Sequence, residues 1–420
     1  MNVLLKKVII LSVSSPYHRQ TKDILIIDGI ITKIADNLIA DKDIPVVKWD
    51  NMHVSMGWMD ILADFGEPGY EQNETLESGS HAAAAGGFTD VMLMPNSNPV
   101  VSSKSQVEFL QQRSQSLPVT IHPIGSITKN TEGVELAEMY DMYESGAVAF
   151  SDGKKPVQQS GLLLKALQYG LAKDVVMIQI PDDESISEGS LMNEGITSIR
   201  LGLPGNPSLS EELMISRDIS LLEYTNSKLH ISGVSVKKGI DLIKQAKKDG
   251  LHVTCSVTPY HIFFKDDDLE NYDTNLKVKP PIRDITDVTA LQDALRAGEI
   301  DCIASHHLPQ CADNKLCEFE YAKTGMITLQ TLFGTVNGIM NEIELLVTML
   351  TENCRNVFSI PIPKISEGAV ACLTLFDPET KFIFEESMIL SKSKNSPFIG
   401  KKMKGKIIGV INKNKLILNT

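Results

Sequence analysis

Hydrophobic positions near the start of the chain form short runs that are typical of strands. Residues 1–55 contain VIILSV, DILIIDGIITKIAD and VVKWD, and the Asp28-Gly29 pair inside the second run indicates a β-hairpin. From residue 56 apolar strand segments alternate with amphipathic or alanine-rich helix segments. After about residue 365 short strands return, as AVACLTLFDP, KFIFEE, GKIIGVINKN and KLILNT. The two ends of the chain therefore predict one small β domain around a longer α/β segment.

The middle segment contains eight strand candidates, which are MGWMDILADF, GFTDVMLMP, VTIHPIGSI, AVAFSD, VVMIQI, KLHISGVS, LHVTCSVTP and IDCIASHH. Between them lie helix candidates such as GVELAEMYDMYESG, GLLLKALQYGLA and VKKGIDLIKQAKKDG, which mostly end near glycine. Repeated strand-helix units pair in parallel with right-handed crossovers, and eight units close a barrel. We predict an α/β fold: a (β/α)8 TIM-like barrel over residues 56–364, with a small β-sandwich domain composed of residues 1–55 and 365–420.

Composition narrows the classes of function. The chain has 40 Lys and Arg against 53 Asp and Glu, a net charge of −13 that argues against nucleic acid as a partner. No apolar run approaches the roughly 18 residues that a membrane span needs, and the first residues lack a signal-peptide cleavage pattern. Six cysteines without a Cys-x-x-Cys pair are too sparse for a disulfide framework. We therefore expect a cytoplasmic protein that does not bind membranes.

Positive charge is concentrated near the end of the chain. No acidic residue follows Glu386, whereas eight lysines do, at positions 392, 394, 401, 402, 404, 406, 413 and 415. One interpretation is a solvated face of the terminal sheet, because exposed strand edges commonly carry lysine to prevent aggregation. The other is a docking face for an acidic partner.

Seven motifs occur in order along nearly the whole chain: Gly66-Glu67-Pro68-Gly69-Tyr70, GGFTDVMLMPNSNPV (86–100), FSDG (150–153), MNEGITSIRLGLPGNPSLSEELMISRD (192–218), VKPPIRD (278–284), IDCIASHHLP (300–309) and SKSKNSPFIG (391–400). Together they resemble the class I dihydroorotases of the amidohydrolase superfamily. The resemblance implies a metal-dependent barrel with a β-sandwich built from both termini. It also implies reversible ring closure of N-carbamoyl-aspartate to dihydroorotate in pyrimidine biosynthesis, with one or two Zn²⁺ activating water and polarising the amide carbonyl.

The metal ligands of that family, placed on this sequence through the resemblance, fall mostly on residues of other chemistry. The six positions are Leu62, Asp64, Asp152, Gln179, Gly233 and His306. Leu62, Gln179 and Gly233 cannot serve as zinc ligands. Asp64 and His306 differ in chemistry from the family residues at their positions, and only Asp152 is the same as in the family. A catalytic zinc normally has three protein ligands and a water. We therefore expect no metal, no other cofactor and no catalytic residue, with His306 at the position of the family's catalytic aspartate.

Other residues leave alternatives open. Asp64, Asp152 and His306 could form a relocated site for one Zn²⁺ or Mn²⁺. His306 and His307 cannot readily bind one ion together, because adjacent strand residues point to opposite faces. Asn96 matches the family asparagine that contacts the substrate carboxylate, or it is a loop asparagine. We expect a structural role for the remaining candidates, which are Arg283, His81, His122 and His230.

The leading hypothesis is a dihydroorotase-like pseudoenzyme that keeps the barrel without the metal centre. Relatives of this type act as structural partners of aspartate carbamoyltransferase, and family members usually self-associate, so the resemblance implies a homo-oligomer that binds this transferase. The alternative is an active dihydroorotase or related cyclic amidohydrolase with an altered metal site. A third hypothesis is a small-molecule sensor that uses the emptied pocket.

Overall fold

The computed structural model describes residues 1–39, 41–340 and 342–419, which contain eighteen strands and thirteen α-helices. The strands are β1 (Val3–Ile10), β2 (Thr21–Ile27), β3 (Ile30–Ala35), β4 (Val46–Val47), β5 (His53–Met56), β6 (Trp58–Ala63), β7 (Phe88–Leu93), β8 (Thr120–Gly125), β9 (Ala149–Phe150), β10 (Val176–Gln179), β11 (Met192–Asn193), β12 (Gly205–Asn206), β13 (Lys228–Ser232), β14 (Val253–Val257), β15 (Cys302–Ile303), β16 (Leu373–Ile383), β17 (Lys402–Asn412) and β18 (Lys415–Leu418).

The helices are α1 (Leu76–Ala85), α2 (Lys104–Arg113), α3 (Met139–Glu144), α4 (Ser160–Leu171), α5 (Glu184–Ser187), α6 (Ile196–Leu201), α7 (Leu209–Thr225), α8 (Lys237–Lys248), α9 (Ile285–Arg296), α10 (Ala312–Lys315), α11 (Leu332–Ile339), α12 (Ile343–Leu350) and α13 (Glu352–Val357). Within the described chain, no helix combines the length and the apolar character that crossing a membrane requires.

The barrel strands follow one another in chain order. β6, β7, β8, β9, β10, β13, β14 and β15 each pair with the next in parallel, and the short β11–β12 pair lies outside this sheet. All eight predicted barrel strands are present. Such strands read as apolar runs because both faces of a parallel sheet are covered. The predicted (β/α)8 fold class is confirmed.

The barrel closes through the segment that follows β15 rather than through a long strand. Ala63 forms a bridge with His307, and the Asp64 N–H donates to the His307 carbonyl at 2.9 Å. The buried Asp60 carboxylate accepts from the Ser305 N–H and hydroxyl, both at 2.7 Å. This contact holds the last barrel strand against the first, and it places residues 305–307 at the mouth.

The two chain ends form a second sheet, as predicted. Its order is β18-β17-β16-β5-β1-β2-β3, with β4 also paired to β1. Its apolar side chains form a cluster separate from that of the barrel and include Leu5, Ile10, Ile26, Leu373 and Ile411. The exact domain boundaries stay a prediction, and their ranges include Ala40, Asn341 and Thr420, which lie outside the described residues.

Two element predictions were wrong in extent. The helix predicted over GVELAEMYDMYESG is limited to α3, because Leu136 forms a bridge with Thr128 and its segment is extended. The separate strand predicted at KFIFEE (381–386) is absent, because residues 381–383 are the last three of β16, whose pairing with β17 shifts register between Asp377 and Lys381. Both differences come from backbone pairing, between Thr128 and Leu136 and between β16 and β17, which hydrophobic periodicity does not report.

Several lysines of the terminal segment bind backbone groups of the barrel. Lys413 donates to the carbonyls of Ser114 and Val119 at 3.1 and 3.0 Å, and Lys415 donates to the Ser116 carbonyl at 2.6 Å. The interpretation as a solvated strand face is therefore incomplete, because these two side chains attach the terminal sheet to the end of α2.

Candidate functional site

The carboxyl end of β6 carries the first two predicted site residues. Leu62 is fully buried in an apolar cluster with Ile124 of β8 and Ile178 of β10. Residues of these three strands can meet only inside the barrel, so Leu62 fills interior volume. Asp64 faces the mouth, where Oδ1 accepts from the Gly66 N–H at 2.7 Å and Oδ2 forms an ion pair with Lys154.

The loop after β9 holds Asp152 away from any shared centre. Its Oδ1 accepts from the Thr128 N–H at 2.8 Å, and its Oδ2 accepts from the Thr128 hydroxyl. Burial raises the pKa of Asp152 to about 6, although these hydrogen bonds oppose the rise. Asn96 holds the same loop, since its amide donates to the Asp152 carbonyl at 3.0 Å and its oxygen accepts from the Lys154 N–H at 3.1 Å. Of the two interpretations of Asn96, these contacts support the loop residue.

Gln179 ends β10 and is completely buried. Its oxygen accepts a long hydrogen bond from the Val157 N–H at 3.4 Å, and its Nε2 has no partner among the described residues. A primary amide is a poor zinc ligand beside imidazole. The position therefore contributes a buried polar group without a coordinating nitrogen.

Gly233 directly follows β13, His306 lies three residues after β15, and the two residues form a complementary pair. A Cβ at position 233 would lie 2.5 Å from Cε1 of His306, and the φ angle of Gly233 is +74°. His306 itself has φ +45°, and its Nε2 hydrogen bonds with the Ser232 hydroxyl at 2.8 Å. The imidazole therefore occupies the space that a side chain at position 233 would need.

A buried hydrogen-bonded chain continues from His306 down the barrel. Ser232 bonds with Ser256 at 2.9 Å, and Ser256 bonds with Nε2 of His230 at 3.0 Å. Nδ1 of His230 bonds with the Thr254 hydroxyl at 2.8 Å. Burial lowers the pKa of both histidines to about 3, so they are neutral at physiological pH. The expectation of a hydrogen-bonded structural role for His230 agrees with this geometry.

His307 is turned to a different environment from His306. Its Nδ1 accepts from the Thr328 N–H at 3.1 Å, and its Nε2 lies 3.7 Å from Glu74. Glu74 is fully buried and also accepts from Ser391 and from the Lys392 N–H. Burial opposes ionisation of Glu74, but its hydrogen bonds lower its pKa. The prediction that the two histidines diverge agrees with these contacts, although β15 ends before them.

Arg283 holds loops above the barrel, as expected. Its guanidinium donates to Ser235 at 3.0 Å, to the Asn206 carbonyl at 2.9 Å and to Glu211 at 3.3 Å. Both charged side chains are 1% exposed. Arg283 is therefore a buried bracing residue.

The implied zinc centre does not fit the residues at the mouth. Within residues 1–39, 41–340 and 342–419, no three His, Cys, Asp or Glu side chains are grouped to hold a metal ion. The relocated set of Asp64, Asp152 and His306 is not assembled, because each side chain is bound to a different partner: Lys154, Thr128 and Ser232 respectively. The mouth instead opens into a cavity of about 380 Å³ lined by Asp64 and Lys154.

Comparisons with known proteins agree with this architecture. Residues 53–239 match the family model described as Dihydro-orotase-like. A protein of Pelotomaculum thermopropionicum named dihydroorotase is 38% identical over 392 residues, which cover 92% of this chain and 91% of the relative. Another of that name, from Syntrophus aciditrophicus, is 36% identical over 401 residues, or 94% of each chain. The chain belongs to the dihydroorotase-like family.

The solved structures show where the dihydroorotase-like fold lies among its neighbours. The L-hydantoinase (dihydropyrimidinase) from Arthrobacter aurescens superposes with a TM-score of 0.85 over 100% of this chain and 96% of that one. At 22% identity this likeness concerns the fold alone. The expectation that any activity would be of the dihydroorotase type is confirmed by the relatives at 36–38% identity.

Sequence reasoning missed two features of this dihydroorotase-like mouth. The Asp64–Lys154 pair joins residues 90 positions apart, and only the lysine after Asp152-Gly153 hinted at it. The second is the exchange of volume between Gly233 and His306. Its signal was present, since a smaller residue at one family position accompanied a larger residue at the other.

Proposed function

We propose that this chain is a non-catalytic dihydroorotase-like protein of pyrimidine biosynthesis that acts as a structural or regulatory partner of aspartate carbamoyltransferase. The Gly233–His306 exchange is the observation that supports the non-catalytic part of the proposal, and the partner part rests on the family resemblance. The His306 ring fills the space beside Gly233, which is one of the family's ligand positions, and the Leu62 side chain occupies a second ligand position. A zinc ion that activates water needs three protein ligands beside an open position, and the described residues group no three such side chains at the mouth.

The first test measures metal and turnover on one preparation. The protein is loaded with ZnCl₂, passed through gel filtration and assayed for zinc, for ring opening of dihydroorotate and for cyclisation of N-carbamoyl-aspartate. The expected result is zinc far below one ion per chain and no turnover. The relative named dihydroorotase from Pelotomaculum thermopropionicum, treated identically, is the positive control. Stoichiometric zinc with turnover would contradict the non-catalytic part.

The second test concerns the partner. The protein and the aspartate carbamoyltransferase of the same cell are mixed at micromolar concentration and separated by size. We expect co-elution and a change in transferase activity. Separate elution with unchanged activity would contradict the partner part and leave the result of the zinc assay standing.

The competing function is an active dihydroorotase or related cyclic amidohydrolase. The identity of 36–38% to proteins of that name over more than nine-tenths of the chain favours it. Under this function, Asp64 in the mouth cavity is the carboxylate to test. Asp64→Asn should abolish turnover, whereas Asp36→Asn, on the exposed partner of Lys22, should leave it unchanged.

A further inference from the structure

A second cavity lies at the opposite end of the barrel from the mouth. It has a volume of about 300 Å³ and is bounded by the segments that lead into β9 and β10, by His122 of β8 and by residues 358–361 after α13. Its walls are mostly apolar and include Val148, Val176, Phe358 and Ile360. Its volume is at the lower end of the range of ligand pockets, which are typically apolar with a few placed polar groups.

His122 is the polar group that a neighbouring cluster orients. Its Nε2 bonds with Oδ1 of Asp90 at 2.9 Å, and Oδ2 of Asp90 accepts from Arg355 and Thr89, each at 2.7 Å. Burial would raise the pKa of Asp90, but the bond from His122 and the charge of Arg355 hold that pKa below its ordinary value. Asp90 is therefore ionised, and Nε2 of His122 carries the proton.

In the neutral form of the ring, this orientation makes the other ring nitrogen, Nδ1, an acceptor. Nδ1 of His122 has no hydrogen-bond partner among the described residues, and the side chain is 16% exposed where it lines the cavity. A purely structural bridge between β7, β8 and α13 needs only Nε2. In its neutral form the ring presents the Nδ1 lone pair beside the apolar walls of the cavity.

We propose that this cavity is a binding site for a small apolar molecule that carries one hydroxyl or N–H donor. The apolar body packs against Val148, Phe358 and Ile360, and the donor bonds to Nδ1 of His122. The site lies at the amino-terminal ends of the barrel strands and is independent of the mouth. It does not depend on whether the chain is catalytic.

The test compares two probes of similar size, phenol and toluene, of which only phenol has a donor. Binding of each probe to the protein is followed by the ring ¹⁵N resonances of His122. A hydrogen bond contributes about 0.5–1.5 kcal/mol, so phenol should bind roughly two- to ten-fold more tightly than toluene and should shift the Nδ1 resonance.

Two variants decide the assignment. His122→Phe keeps the ring volume without Nδ1 and should bind both probes equally, while Ile360→Trp fills the cavity and should bind neither. Thermal melting confirms that each variant is folded, and if His122→Phe fails to fold the probe comparison in the original protein still decides. In the original protein, equal affinity for phenol and toluene or no binding of either would overturn the proposal. In Ile360→Trp, a shift of the Nδ1 resonance on addition of phenol would also overturn it.

Discussion

At the scale of single residues, the mouth is governed by exchanges of volume. The absence of a side chain at Gly233 leaves space that the His306 ring occupies. Adding a side chain at position 233 therefore lowers stability for two reasons. One reason is the positive φ of Gly233, which a residue with a Cβ adopts only under strain. The other reason is the contact with Cε1 of His306 at 2.5 Å.

A matched pair of substitutions separates these two effects. Gly233→Ala should lower the free energy of unfolding by about 2–4 kcal/mol, as strain and overpacking add. Gly250→Ala, at φ +85° with nothing within 4 Å of its Cβ, should cost only the strain, about 1 kcal/mol. In the double variant with His306→Ala, Gly233→Ala should cost about the same as Gly250→Ala. Urea denaturation measures all of them, and equal costs for the two single glycine variants would contradict the assigned contact.

Asp152 should give a pH-dependent contribution of defined sign. Its pKa is raised from 3.8 to about 6, so the folded chain binds this proton more tightly than the unfolded chain does. Its contribution to stability is therefore fully present below about pH 4 and is lost as the pH rises through 6. Asp152→Asn should gain about 1–3 kcal/mol relative to the original protein between pH 4 and pH 7.5.

The measurement is chemical denaturation of both proteins across that pH range. A relative stability of Asp152→Asn that falls as the pH rises would contradict the burial of this carboxyl.

At the scale of elements, the barrel is closed by a short segment rather than by a long strand. β15 has two residues, and the chain after it reaches β6 through the Asp60–Ser305 contact and the Asp64–His307 hydrogen bond. Such a closure depends on side chains more than on a continuous ladder. Helices α11 to α13 follow it and cover this side of the barrel.

Asp60→Ala should open this closure. It removes two acceptors from buried donors of Ser305, which costs about 1–3 kcal/mol for groups left without partners. Hydrogen exchange at the Asp64 amide should become faster, while exchange at Ile231, within the β13–β14 pairing, should change only with global stability. Unchanged exchange at Asp64 would show that the ladder alone closes the barrel.

At the scale of the whole molecule, the order of strands and helices could be predicted from the sequence, whereas the contacts between residues far apart in the chain could not. The eight barrel strands were predicted because covered parallel strands are short apolar runs, such as GFTDVMLMP. The prediction that Leu62, Gln179 and Gly233 do not coordinate a metal ion came from the family resemblance together with the residue types at those positions. The Asp64–Lys154 pair and the position of His306 were not, because both depend on which strand ends meet after the barrel closes. Local periodicity has no information on such pairs.

The terminal sheet and the barrel share an aromatic contact that should make them unfold together. Trp58 at the start of β6 packs with Phe333 of α11 and Phe376 of β16, at ring-centroid distances of 4.8 and 5.2 Å. Phe376→Ala should lower stability by about 3–5 kcal/mol, since it leaves a cavity between the two units.

Unfolding of this variant, followed by tryptophan fluorescence and by far-ultraviolet circular dichroism, should still give one coincident transition at a lower midpoint. Phe109→Ala, at a side chain that is 39% exposed on α2, should cost much less and serves as the control. Two separate transitions in the original protein would show that the sheet and barrel are independent units. In that case the aromatic contact would join two domains that are each stable alone, and Phe376→Ala would shift only the transition of the terminal sheet.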